Sequence, residues 1–224
     1  IKKISKDLKS KFYFDYDTSK NVWFRAGGNA AVFCLVSDDK ELKFILKNIK
    51  GIPYEIIGAG SNILVRDGGY NGIIFKLGKD FNKIALNENF IQVGAGILDV
   101  NLSKYAVNNN IQNFEFFSGI PGSIGGAIKM NAGCYGFETN DFLISIKTIN
   151  SKGEVCFLDK DKLKLTYRNS NLPNRDIIIS ANFDYTLGDK DEIKKKIIQI
   201  KSMRENSQPL KSKTSGSTFK NPKN

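Results

Sequence analysis

The chain has 224 residues, 41% of them hydrophobic, enough to bury a core in one large domain or two small ones. Its formal charge of +11 is spread along the whole sequence, with no basic stripe interleaved with aromatics, which disfavours nucleic acid and suits an anionic small ligand. Histidine is absent, so Ser-His and Cys-His nucleophile pairs, histidine metal sites and histidine-linked cofactors are all excluded.

No run of roughly 18 apolar residues marks a membrane span, and Ile1-Lys2-Lys3 leads into no apolar signal core. The three cysteines, Cys34, Cys134 and Cys156, form no CxxC pair, which argues against a disulfide framework or zinc ribbon and fits a reducing cytoplasm. No metal site is expected. Acid–base chemistry is left to Ser, Tyr, Lys, Arg, Cys and carboxylates, a repertoire that suits an enzyme whose cofactor carries the hard chemistry.

In chain order, Ile4, Leu8 and Phe12 recur at helical spacing in the lysine-rich start and predict a short amphipathic helix within residues 1–20. Residues 32–36 read as a strand. A helix follows to about Asn48, with Ser37 as N-cap and Asp38, Asp39 and Glu41 in its first turn. Residues 55–57 complete a β-α-β order and run into Gly58-Ala59-Gly60-Ser61-Asn62. Two glycines and small polar side chains at the end of a strand can wrap a phosphate, although no GxGxxG opens a helix and a plain turn is an equal alternative for the motif alone.

Short strands are expected at 73–77, 83–86 and 90–93, after which Gly94-Ala95-Gly96 turns the chain into a helix with Leu98, Leu102 and Tyr105 on one face. The densest turn chemistry comes next, in Phe117-Ser118-Gly119-Ile120-Pro121-Gly122-Ser123-Ile124-Gly125-Gly126-Ala127. Glycines there let backbone N–H groups approach a ligand and form a concave anion site. Two such cradles favour a pyrophosphate held between two lobes. Asn131-Ala132-Gly133-Cys134-Tyr135-Gly136 is a further glycine loop, in which Cys134 reads as a small buried filler.

Residues 144–149 and 154–158 flank Asn150-Ser151-Lys152-Gly153 as a β-hairpin. Thr166-Tyr167-Arg168-Asn169-Ser170, taken alone, reads as a surface arginine in a turn. A strand at 177–185 and a helix at 189–204 follow, the helix with Ile193, Ile197 and Ile200 inward and Lys194, Lys195 and Lys196 solvated; residues 208–224 read as loop.

Five segments stand out in one order: Phe24-Arg25-Ala26-Gly27-Gly28-Asn29-Ala30, Gly58-Ala59-Gly60-Ser61-Asn62-Ile63-Leu64-Val65, the segment from Ser118 to Ala127, Tyr167-Arg168-Asn169-Ser170, and Ser215-Gly216-Ser217-Thr218-Phe219-Lys220-Asn221-Pro222. Together they resemble a single family, the UDP-N-acetylenolpyruvoylglucosamine reductases, or UDP-N-acetylmuramate dehydrogenases, of peptidoglycan synthesis. The resemblance implies an α+β fold, a two-lobed FAD-binding domain of the FAD-linked oxidase type. Residues 1–76 would be its first lobe, 77–204 its second, and 205–224 the start of a C-terminal substrate-binding domain that is mostly absent.

It also implies a cytoplasmic, NADPH-dependent flavoenzyme with non-covalent FAD, acting on a UDP-sugar enolpyruvyl ether. Gly58, Ala59, Gly60, Ser61 and Asn62 would hold the cofactor's pyrophosphate from one side, and Ser118, Gly119, Pro121, Gly122, Ser123, Gly125 and Gly126 from the other. Arg168 matches the arginine that stabilises the enolate-like intermediate, Ser217 the serine that donates a proton to the adjacent carbon, and Asn221 a residue that touches substrate. The family continues into a domain bearing a further catalytic glutamate, whereas this chain starts at Ile1 and ends at Asn224. The expectation is therefore a piece of a longer protein, or a non-catalytic flavin-binding remnant. No tyrosine-bearing insertion follows Arg168, as in the shorter subgroup, and Asn29 stands where the family often has Pro. A generic FAD-linked oxidase of the same fold is the other alternative, and it would have no reason to pair Tyr167-Arg168 with Gly216-Ser217.

Overall fold

Parallel pairing of three short apolar strands around one crossover helix sets the first half of the molecule. In the computed structural model, which describes residues 1–173 and 175–207, these strands are β2 (Asn29–Val36), β3 (Tyr54–Ile57) and β4 (Tyr70–Leu77). Strand β1 (Lys11–Asp17) precedes them and α1 (Asp39–Asn48) connects β2 to β3. The sheet order is β1-β2-β4-β3, with β1 antiparallel at the edge and the other pairs parallel. Alternation along β2 and β4 sends Val32, Cys34, Val36, Ile73 and Phe75 to α1, which answers with Leu42, Ile45 and Leu46. Phe33, Ile74 and Ile57 face the other way, under Val22, Tyr16, Ile63 and Tyr70.

Two local expectations change here. Residues 1–20 form a 3-10 turn at Ile4–Asp7 followed by strand β1, not an amphipathic helix. Ile4, Leu8 and Phe12 still pack on the α1 core, but the aromatic run in KFYFDYD favours a pleated edge, and pairing with β2 outweighs the helical spacing. The cap of α1 is Asp38, whose carboxylate accepts from the Glu41 N–H at 2.9 Å. The Ser37 N–H is instead used by Ser10 Oγ at 2.9 Å.

The second half comprises β5 (Ile84–Leu86), β6 (Ile91–Gly94), α2 (Asp99–Asn108), β7 (Ile111–Gln112), α3 (Ile124–Lys129), β8 (Gly133–Cys134), β9 (Phe137–Glu138) and α4 (Thr139–Phe142). It continues through β10 (Leu143–Ile149), β11 (Val155–Asp159), α5 (Lys160–Leu163), β12 (Ile177–Phe183), β13 (Thr186–Leu187) and α6 (Lys190–Ser207). An antiparallel sheet of order β11-β10-β12-β6-β5 carries the expected hairpin as its β10–β11 edge. Ile91, Val93, Ile146 and Phe183 join Leu102, Ile124 and the triad Phe114, Phe116 and Phe117 in the largest core. Ile149, Ile177 and Ile179 enter the α1 core instead, so the two sheets meet there.

The strand expected at 177–185 stops at Phe183, and Thr186–Leu187 pairs with β7 instead. Leu98 is the N-cap of α2 and 42% exposed, so the helix buries Asp99, Leu102, Ser103 and Ala106 rather than a Leu98 face. Helix α6 buries Ile193 and Ile200 with Ile197 half-buried. Lys194 and Lys195 pair with Asp191 and Glu192 on its wet side, while Lys196 reaches buried Glu115 at 3.7 Å and is not simply solvated. No helix among the described residues is long and apolar enough to cross a membrane.

Candidate active site

The two glycine cradles, 60 residues apart in sequence, touch. Gly58 leaves the C-terminal end of β3, and a Cβ built on it would lie 2.2 Å from Ser123 Oγ of the second loop. Gly60 has φ +75, and its Cβ would sit 2.0 Å from the Asn21 carbonyl oxygen, so both conformation and space demand glycine. Its carbonyl accepts from the Trp23 N–H at 3.0 Å. Ala59, Ser61 and Asn62 complete that loop.

The second loop is strapped to the entry of α2. The Asp99 N–H donates to Gly122 O at 3.1 Å, Ile124 N–H to Ile97 O at 2.9 Å and Gly125 N–H to Ala95 O at 2.9 Å. Ser118 Oγ is buried with no hydrogen-bond partner among the described residues. A buried hydroxyl without a partner is costly, and a phosphoryl oxygen would satisfy it. Glycines, an orphaned hydroxyl and close approach of the two loops therefore fit a pyrophosphate-bearing cofactor. Gly119 and Pro121 lie on the same loop, but the stretch expected to be all turn becomes helix α3 from Ile124, so Gly125 and Gly126 sit in its first turn, where a Cβ on Gly126 would meet only Ser123 Oγ, at 3.6 Å. Among the described residues no cluster of His, Cys, Asp or Glu could hold a metal ion.

Arg168 occupies a two-residue turn closed by Thr166 N–H to Asn169 O at 3.1 Å and Asn169 N–H to Thr166 O at 3.0 Å. Its φ of 53° is left-handed, a strained conformation for a long side chain and one that concentrates at functional sites. The guanidinium donates through Nη1 to Asn131 O at 3.1 Å and through Nη2 to Gly133 O at 2.7 Å, and lies 4.9 Å from the Tyr167 ring centroid. Fully buried Asn131 returns the clamp by donating to Thr166 O at 3.2 Å and accepting from the Asn140 N–H at 3.0 Å. The turn expected from sequence is present, and it is locked onto the third glycine loop.

That loop in turn abuts the second cradle. A Cβ on Gly119 would come within 3.0 Å of Cys134 Sγ and 2.9 Å of the Tyr135 ring. Cys134 hydrogen-bonds to Phe116 O at 3.2 Å, and burial pushes its thiol up to about 11 despite Arg168 and Arg204 nearby. A thiol so protonated is a poor nucleophile, in keeping with a filler. Ser217 and Asn221 lie outside the described residues. Sequence reasoning passed over Lys76 and Asp99, which flank the two cradles. Neither sits in a motif, and only the placement of their neighbours reveals them.

The FAD binding domain family matches residues 30–159. UDP-N-acetylenolpyruvoylglucosamine reductase from Rickettsia conorii is 40% identical over 216 residues, covering 96% of this chain and 73% of the relative. The crystal structure of UDP-N-acetylenolpyruvylglucosamine reductase from Thermus caldophilus superposes with a TM-score of 0.83 at 29% identity, covering 96% of this chain and 75% of that one. The 6-hydroxy-D-nicotine oxidase of Arthrobacter nicotinovorans shares the fold alone, with a TM-score of 0.62 at 15% identity over 81% of this chain and 43% of its own. An α+β FAD-binding domain of the oxidase type with touching cradles, and a relative this similar over nearly the whole chain, place the protein in the UDP-N-acetylenolpyruvoylglucosamine reductase family of FAD-dependent oxidoreductases.

Proposed function

We propose that the protein reduces the enolpyruvyl ether of UDP-N-acetylglucosamine to UDP-N-acetylmuramate in peptidoglycan synthesis, with NADPH as reductant. FAD, when bound, supplies the hydride chemistry between NADPH and the enolpyruvyl double bond. In this reading residues 1–76 and 77–204 are the two lobes that hold the cofactor non-covalently, and residues 205–224 begin a substrate-binding region. The loop at Gly58, Ala59, Gly60, Ser61 and Asn62 and the segment from Ser118 to Gly126, a loop running into the first turn of α3, bind its pyrophosphate through backbone N–H groups and the Ser118 hydroxyl.

Arg168 serves the substrate. Hydride addition to an enol ether pushes negative charge towards the neighbouring carboxylate, and a planar cation fixed in advance stabilises that charge without reorganising. The observation that carries this reading is the clamp on Arg168: two of its donors are spent on Asn131 O and Gly133 O, which orients the rest. Ser217 donates the proton to the adjacent carbon, and Asn221 contacts substrate. A serine hydroxyl can do so only where its alkoxide is held beside a cation.

The test separates the two half-reactions by stopped flow. In Arg168→Lys and in Ser217→Ala, NADPH oxidation without substrate should stay within about twofold of wild type. The substrate-dependent step should slow by about 100-fold or more, the usual size for removing one donor to a developing anion. Equal slowing of both steps would assign the two residues to the scaffold.

A further inference from the structure

Lys76 lies on β4 directly opposite Ile57, the residue before Gly58. Alternation buries Phe75 in the α1 core and turns Lys76 to the other face with Ile74. There Nζ donates to Asn21 Oδ1 at 3.0 Å, and Asn21 Nδ2 donates to the Tyr16 hydroxyl at 2.6 Å. The backbone carbonyl of Asn21 is also the atom against which Gly60 is packed, and Trp23, two residues on, holds the Gly60 carbonyl. The ammonium group thus stands one side chain away from the floor of the first cradle, at the C-terminal ends of parallel strands. Ligands of open α/β sheets bind at that end.

The ammonium is half-buried, and no carboxylate among the described residues comes within ion-pair distance of it. Burial alone lowers its pKa, with no acid opposing the shift. Lysine is rarely taken out of water unless something anionic meets it. Lys20, Lys43 and Lys83 all have acids nearby on their own segments, so Lys76 differs from the chain's general excess of positive charge.

We propose that Lys76 is a phosphate-binding residue of the first cradle, its ammonium neutralising the diphosphate of the flavin cofactor. This rests on the reading of the Gly58–Asn62 loop as a pyrophosphate site. A nucleoside diphosphate is the chemistry that fits, and three molecules in the proposed reaction carry one: FAD, NADPH and the UDP-sugar. The position beneath the loop favours FAD.

Flavin-free protein should be titrated with FAD, following the quenching of flavin fluorescence. Lys76→Met should weaken FAD binding by at least tenfold and Lys76→Arg by less than threefold. The melting temperature of the flavin-free Met variant should equal or exceed wild type, because a half-buried unpaired charge has been removed. With FAD saturating, KM for NADPH and for the UDP-sugar should stay within twofold. FAD affinity within twofold of wild type would overturn the proposal. So would a loss that Arg does not recover together with a lower melting temperature, which would make Lys76 a strut for Asn21. A change confined to either KM would move the charge to that diphosphate. Wild-type protein that binds no FAD would retire the reading of the loop itself.

Discussion

Asp99 opens helix α2, where the helix dipole ordinarily favours a carboxylate, yet it is completely buried and neither oxygen has a hydrogen-bond partner among the described residues. One oxygen lies against Gly122, so close that a Cβ there would be 2.5 Å away. Burial pushes its pKa well above the usual carboxylate range. Below the unfolded-state pKa both states hold the proton and nothing is lost. Above it the unfolded chain releases the proton freely while the folded chain resists, so stability falls with rising pH until the folded pKa is passed. Asp99→Asn removes that titration. Urea midpoints of wild type and Asp99→Asn should therefore diverge from pH 5 to pH 8, the wild type losing more; parallel curves would mean that Asp99 ionises without penalty. The same residue buttresses the second cradle through its N–H to Gly122 O, so the cost is carried at the loop proposed to bind the cofactor.

At the scale of elements, the cap of α1 separates what the sequence could and could not disclose. Asp38 makes the capping bond, and Ser37 gives only its backbone N–H to Ser10. Asp38→Ala should lower stability by about 1 kcal/mol, as lost caps do, whereas Ser37→Ala should be nearly neutral in the same urea melt. A larger effect at Ser37 would restore it as the cap. Features set by neighbours in the chain were legible: the β-α-β order, the hairpin around Asn150-Ser151-Lys152-Gly153, the turn at Arg168 and the glycine turn that follows β3. Features set by distant partners were not. Ile4, Leu8 and Phe12 fit a helix by spacing, but pairing with β2 draws Phe12 into strand β1 and leaves Ile4 in a short 3-10 turn. The turn at Arg168 looked like surface until Asn131 and Gly133, more than 30 residues earlier, took up its guanidinium. Lys76 and Asp99 are an ordinary lysine and an ordinary helix-start acid until their surroundings are known.

For the whole molecule, the contact between Gly58 and Ser123 matters most, because it joins a loop of the parallel sheet to a loop of the antiparallel one. The sheets already share the core built on α1 through Ile149, Ile177 and Ile179, and that core sets the separation of the two loops. At that separation a methyl group on Gly58 would meet Ser123 Oγ at 2.2 Å, so the hydroxyl would have to rotate away, whereas Ser123 Cβ lies at an ordinary 3.4 Å. Gly58→Ala alone should destabilise the flavin-free protein by about 1 kcal/mol, the lower end of the usual cost of overpacking, because a rotatable hydroxyl takes the clash. Ser123→Ala removes the offending oxygen and leaves the carbon. Combined with Gly58→Ala it should recover part of that loss, a coupling of about 0.5 kcal/mol or more between sites in contact. Strict additivity in a urea double-mutant cycle would mean that the two cradles do not touch before the cofactor arrives, and that the ligand, not the shared core, draws the two sheets together.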